Sequence, residues 1–191
     1  MPRRIDEEAL FLVTLEVLAE EGYDGMTTAE IAHRAGVNEA TLFRRYGSKV
    51  GLVRAAIAQA LSSTPFASLP STDDVEADLR SLIQAFGATT STLGGAVTAL
   101  LTAASRHPDL RSSAAPLLAN LTKATEVLAR HQRQGSLKRE DPWVQLVLLI
   151  SPLMAAGLWE RSALGPAMHL DPDDVVAGFL RGHGGPGGAA P

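Results

Sequence analysis

Apolar residues recur along this chain at three- and four-residue intervals and almost nowhere alternate with period two, which predicts an all-α fold. β-branched residues are scattered instead of gathering into strand-length runs, and this points the same way. The first predicted helix runs from about Asp6 to Glu21. Leu10, Val13, Val17 and Leu18 form its apolar face, and Gly22 ends it. A short second helix starts after Thr27, which with Glu30 makes a capping box, and it carries Ile31 inward. Gly36 suits the left-handed residue that closes such a helix. Asn38 is a natural N-cap for a third helix through about Tyr46. Gly47 and Ser48 then break the chain and cap a fourth helix from Lys49 to Leu61.

Residues 62–72 hold four serines, two threonines and two prolines, the composition of a linker or surface loop, so a domain boundary is placed after residue 61. Beyond it the pattern predicts helices at about Asp74 to Thr90, Gly95 to Arg106, Asp109 to Gln134, Pro142 to Leu164 and Pro172 to Leu180. His107-Pro108-Asp109 and Gly135-Ser136 mark two of the breaks. The second domain is expected to span 62–181, and the Gly/Pro/Ala stretch 182–191, with no large apolar side chain to anchor it, is expected to be disordered.

Composition narrows the function. The net charge of −4 argues against a protein that coats nucleic acid by bulk charge, yet residues 34–54 hold Arg34, Arg44, Arg45, Lys49 and Arg54 against the single acid Glu39. The absence of cysteine excludes disulfides, thiolate metal sites and cysteine nucleophiles. No signal-peptide pattern develops after Met1, because Glu7, Glu8 and Glu16 interrupt it, and a cytoplasmic location is expected. The longest apolar run, Trp143 to Trp159, is broken by Gln145, Ser151, Pro152 and Gly157, and reads as a buried core or interface helix, with no membrane partner expected. No nucleophile elbow, no phosphate loop with lysine and no histidine pair at metal spacing is present, so neither catalysis, cofactor nor metal is expected. Gly182-His183-Gly184-Gly185 loosely resembles an oxyanion loop but has no nucleophile beside it.

Chemistry concentrates in residues 28–46. Ala32 lies four residues before Gly36 and Leu42 six after it, the spacing at which two steeply crossed helices touch. Val37 and Leu42 are expected to bury against Ile31 and the first helix, leaving Glu39, Ala40, Phe43 and Arg44 outward. A helix that exposes its N-terminal turn presents N–H groups to phosphate and short side chains to base edges. Arg44 has the fork geometry for guanine O6 and N7, while Arg45 and Lys49 are placed for phosphates.

The run from Gly22 through Val37, continuing Thr41-Leu42-Phe43-Arg44-Arg45-Tyr46-Gly47-Ser48-Lys49, resembles the N-terminal domain of the TetR (tetracycline-repressor-like) transcriptional regulators over about residues 5–61. The resemblance implies an all-helical homodimer. Its N-terminal three-helix domain would bind double-stranded operator DNA, and a fourth helix would join it to a C-terminal domain for ligand binding and dimerisation. It also implies phosphate contacts from Thr27 and Lys49, and base or backbone contacts from Asn38, Glu39, Ala40, Thr41, Phe43, Arg44 and Arg45. Three positions depart from common family choices. Phe43 replaces a frequent Tyr, Arg45-Tyr46 replaces a frequent His-Phe and moves the hydroxyl to Tyr46, and Glu39 stands where Lys or a small residue is usual.

In the C-terminal half the same resemblance implies a small-molecule effector and a four-helix dimer interface. Apolar and small residues suggest a largely hydrophobic effector, lined by Phe86, Leu100, Leu121, Trp143 and Met154, with Gln84, Asn120 and Thr125 as polar contacts. The long helix from Trp143 and the one from Pro172 are expected to dimerise through Leu149, Leu153, Ala156, Trp159, Val176 and Phe179. Pro152 is expected to kink the first of these or to open space beside it. The rival reading is a DNA-binding regulator controlled by a protein partner in place of a small molecule.

Overall fold

The computed structural model describes residues 6–166 and 168–185. The described residues form eight α-helices and no strand: α1 (Glu7–Gly25), α2 (Thr28–Arg34), α3 (Glu39–Tyr46), α4 (Lys49–Ser62), α5 (Val75–Ala104), α6 (Ala115–Gln134), α7 (Pro142–Ser162) and α8 (Pro172–His183), with 3₁₀ turns at Pro65–Ser68 and Pro108–Ala114.

Capping follows the chemistry of the sequence. Asp6, Thr27, Asn38, Ser48, Asp141 and Asp171 each precede a helix and accept a hydrogen bond from one of its first N–H groups. Only half of the expected capping box forms. Thr27 Oγ1 accepts from the Glu30 N–H at 3.1 Å, but the Glu30 carboxylate turns forward to Arg34 Nε at 2.6 Å. Gly22 adopts φ 67° inside α1, so the helix proper ends there and a single turn carries the chain on to Gly25.

The chain divides into two compact units. The first contains the described residues to Ser63 and Thr92–Leu118, and the second contains Thr64–Ser91 and the described residues from Ala119. This differs from the division expected at residue 61. The α5 residues Leu93, Ala96, Leu100 and Ala103, with Leu110, pack in one core with Leu10, Val17 and Leu18 of α1, Ile31 of α2, Leu42 of α3 and Leu52, Val53, Ala56 and Ile57 of α4. Helix α5 is a single element where two were expected. Gly94-Gly95 does not break it, and the Thr98 hydroxyl donates to the Gly94 carbonyl at 2.7 Å.

In the second unit Leu79, Leu82, Ile83 and Phe86 of α5 pack with Ala124 and Leu128 of α6, Leu146, Leu149 and Ile150 of α7, and Val176 and Phe179 of α8. Phe66, from the stretch expected to be linker, is also buried here and meets Phe86 edge-on at 6.4 Å. Helix α7 passes through Pro152 without ending.

Residues 182–185, expected to be disordered, are held in the fold. The Lys138 N–H donates to the His183 carbonyl at 2.9 Å and the Gly185 N–H to the Ser136 carbonyl at 3.0 Å, while Leu137 and Gly184 form an antiparallel bridge. Side chains add to this backbone pairing: the His183 ring meets Glu140 at 2.8 Å and stacks on Phe179 at 4.7 Å, and Lys138 Nζ donates to the Gly182 carbonyl at 2.6 Å. Residues 186–191 of that expectation lie outside the described residues.

Candidate nucleic-acid interface

Helices α2 and α3 meet across the turn at Gly36, whose φ of +63° is a conformation most side chains avoid. Ile31, Ala32 and Leu42 are buried on the inner faces of the pair, and Val37 is half-buried beside them. Burial of each large apolar side chain is worth about 1.5–3 kcal/mol, which fixes how α3 is presented. Its opposite face is open: Ala40, Phe43, Arg44 and Arg45 are exposed, with Phe43 at 48%. Asn38 is exposed and committed as the cap of α3, its Oδ1 accepting from the Ala40 N–H at 2.8 Å. Thr41 is half-buried.

The structure separates the five cations of the basic stretch 34–54 into different states. Arg34 is engaged by Glu20 at 2.7 Å and Glu30 at 2.6 Å, with Glu21 at 3.5 Å, and so braces α2 on α1. Arg45 pairs with Glu7 at 2.8 Å. Arg44 and Arg54 are exposed and make no ion pair among the described residues. Lys49 is held: its Nζ donates to the carbonyls of Tyr23 at 2.8 Å and Met26 at 3.1 Å, and lies 4.2 Å from the centroid of the Tyr23 ring. It therefore pins the start of α4 to the end of α1. Lys49→Ala is expected to lower thermal stability as well as DNA affinity, by about 1.5–3 kcal/mol for the loss of charged hydrogen bonds. Loss of affinity at an unchanged melting midpoint would refute the pin.

Glu39 and Tyr46 also differ from their expected roles. Glu39 is half-buried and accepts the Thr28 hydroxyl at 2.6 Å, so this acid locks α2 to α3 and does not stand free above a base edge. The Tyr46 hydroxyl donates to Glu7 at 3.0 Å, and its ring lies edge-on to Phe11 at 5.7 Å. Burial, and then the Glu7 carboxylate, raise the Tyr46 pKa above the ordinary phenol value. Glu7 carries no motif signal, and Thr28 lies in the Gly22–Val37 run without a role of its own. Each is identified only by the partner that the fold brings to it.

The effector candidates do not converge as one set. Leu100 lies in the core of the first unit at 1% exposure and is removed from it. Trp143 and Met154 stand on the open side of α7, at 42% and 48% exposure, and are removed too. Phe86, Leu121 and Thr125 are core or packed against it, and Asn120 donates to Thr64 Oγ1 at 3.4 Å. Of the candidates, Gln84 lines a groove of about 350 Å³, with Pro65, Leu69, Pro70, Ala85 and Ala88.

The dimer candidates are corrected by phase. Leu149, Val176 and Phe179 are buried within their own unit, and Leu153 and Ala156 are half-buried. Only Trp159 of that set is exposed. The open stripe of α7 is Val144, Val147, Leu148, Met154 and Leu158, all between 48% and 57% exposed. Among the described residues α7 is also the one helix long and apolar enough to cross a membrane, but Gln145 within it is fully buried, bonded to Gln132 and to the Lys138 carbonyl.

Residues 10–56 match the family model of bacterial regulatory proteins, tetR family. An HTH-type transcriptional regulator of Mycobacterium bovis is 34% identical over 104 residues, covering 54% of this chain and 50% of that protein. The chain thus spans about half the length of the curated relatives it matches. The fold is that of the fatty acid degradation regulator FadR from Bacillus halodurans (TM-score 0.76, 17% identity, 92% of this chain and 98% of that one). It is also that of the flavonoid-responsive regulator FrrA (TM-score 0.64, 19% identity, 93% and 96%).

Proposed function

From the match of residues 10–56 to the tetR family model we propose that the chain is a TetR-family regulator, a cytoplasmic homodimer that represses transcription from an operator and is released by a small, largely hydrophobic effector. The observation that carries the reading is the open face of α3, where Ala40, Phe43 and the unpaired Arg44 stand exposed on a helix fixed from behind by Leu42. In this reading Phe43 offers a thymine methyl an apolar contact and Arg44 forks onto a guanine. The remaining candidate contacts are Thr27 and the first turn of α3 toward phosphate, and Arg45 at the edge of the groove.

One reading helix reaches one half-site, so operator binding calls for two copies related by a two-fold axis. The apolar stripe of α7 supports that arrangement, because monomers seldom leave so continuous an apolar surface in water. For the effector we place the groove beside Gln84, whose volume of about 350 Å³ is within the range of small-molecule sites. The names of FadR and FrrA, one tied to fatty acid degradation and one to flavonoids, agree with an apolar ligand. Gln84 is on α5, and the same helix contributes Leu93, Ala96 and Leu100 to the core that holds α4. A ligand that displaces α5 therefore acts on the helix behind the reading head, and release follows if the two heads lose their common spacing.

The test is selection of duplexes from a randomised pool by the full chain, followed by titration of the enriched sequence. An inverted repeat with half-sites about one helical turn apart is expected, and enrichment of no sequence would sink the proposal. On that duplex Arg44→Ala is expected to cost about 1–3 kcal/mol and to relax preference at one base position per half-site. An equal loss on every sequence would assign Arg44 to phosphate instead. Oleate and a flavonoid, added separately, test whether an apolar ligand dissociates the complex.

A further inference from the structure

A single carboxylate on the first turn of α1 holds the C-terminal end of α3. Glu7 Oε1 forms an ion pair with Arg45 Nη2 at 2.8 Å and accepts a hydrogen bond from the Tyr46 hydroxyl at 3.0 Å. The two donors are anchored differently. Tyr46 is half-buried and its ring rests against Phe11, so it stays where the core puts it. The Arg45 side chain is 46% exposed, and among the described residues its partners are Glu7 and the Tyr46 ring, whose centroid lies 6.0 Å from its guanidinium carbon. Glu7 is therefore what holds Arg45. The reading helix carries two adjacent arginines in contrasting states, Arg44 unpaired and Arg45 neutralised.

Exposed ion pairs of this kind are weak, about 0–1 kcal/mol, so a good DNA partner can displace the carboxylate while a poor one cannot. An arginine already paired also releases fewer counterions from DNA, and an unneutralised carboxylate at that edge repels phosphate. We propose that Glu7 is a specificity-determining residue of the interface. It withholds the charge of Arg45 from arbitrary DNA and yields it only where the sequence offers Arg45 a partner better than a carboxylate. The proposal rests on the DNA-binding reading of α3 and adds that its affinity for unrelated sequence is actively restrained.

The experiment compares the full chain with Glu7→Gln, Arg45→Gln and the double variant, on a random-sequence duplex and on a duplex enriched by the wild-type chain. Glutamine keeps the length of the side chain and an oxygen for the Tyr46 hydroxyl, and unchanged melting midpoints confirm that the fold is kept. Glu7→Gln is expected to tighten binding to random duplex about three- to tenfold and to steepen the plot of log K against log salt by about 0.9, the increment for one more neutralised phosphate. Binding to the enriched duplex rises less, so discrimination falls. In the Arg45→Gln background the same change has less than half its effect. Equal gains in both backgrounds would overturn the proposal by making Glu7 a generic negative charge, and weaker binding would overturn it by making Glu7 a presenter of Arg45. Either result leaves DNA binding standing. If the wild-type chain binds no duplex, both readings fall together.

Discussion

Replacing Asp78 with alanine is expected to cost the chain about 3–5 kcal/mol of stability, the loss typical of breaking a buried ion pair from one side. The Asp78 side chain is fully buried near the start of α5 and is the hub of its unit. Its oxygens accept from the Thr72 N–H at 2.9 Å, the Thr72 hydroxyl at 2.8 Å and His131 Nε2 at 2.9 Å, and from the Arg130 guanidinium. Removing it leaves the fully buried His131 and the largely buried Arg130 without an acceptor in a medium that solvates them poorly.

The pH dependence follows from the same contacts. Burial alone would raise the Asp78 pKa, but the donors from His131, Thr72 and Arg130 outweigh it and hold the carboxyl below its ordinary value. A folded-state pKa below the unfolded one gives a contribution fully present above about pH 4 and lost as pH falls through the folded value. The wild-type advantage over Asp78→Asn in urea melts at fixed protein concentration is therefore expected to be large at neutral pH and to shrink in acid. A difference under about 1 kcal/mol at neutral pH would mean that a neutral amide serves His131, Thr72 and Arg130 as well as the carboxylate does.

The second large effect is expected on α7. Leu148→Glu places a charge in the middle of the exposed stripe and should convert the proposed dimer to monomer in sedimentation, with the isolated chain still folded. Affinity for the enriched duplex should then fall by about 10²–10⁴, the advantage of engaging two half-sites at once. Leu149→Glu, one residue on, buries the charge inside the unit and should unfold it, because Leu149 is fully buried. A Leu148→Glu chain that remains dimeric would move the interface elsewhere.

These two neighbours show where sequence reading stops. The placement of α7 was legible because its length and its Asp141-Pro142 start are local properties. Its phase was not, because both faces are apolar, and what selects the buried one is Gln145 meeting Gln132, thirteen residues away. The helix-turn-helix was legible almost to the residue, since caps at Thr27, Asn38 and Ser48 and the turn at Gly36 are set by local backbone chemistry. The state of its charges was not. Glu7 reads as an ordinary acid at a helix N-terminus, and only folding brings it to Arg45 and Tyr46. The break expected in α5 between Thr90 and Gly95 does not occur, because packing of Leu93, Ala96 and Leu100 outweighs the roughly 1 kcal/mol that each glycine of the Gly94-Gly95 pair costs a helix interior.

The glycines after α8 mislead in the opposite direction. A stretch of Gly182, Gly184 and Gly185 looks like slack, yet a Cβ placed on Gly185 would stand 2.1 Å from the Gly135 carbonyl oxygen and 3.1 Å from that of Leu137. At this spot glycine acts as a tolerance in a fitted joint, one strand of chain threaded past another with no room for a methyl group. A protein engineer choosing where to append a tag or shorten the chain should therefore treat residue 185 as part of the machinery: trimming back to Arg181 would undo the buckle that closes the α6–α7 corner, while composition alone would have recommended it as the safest place to cut.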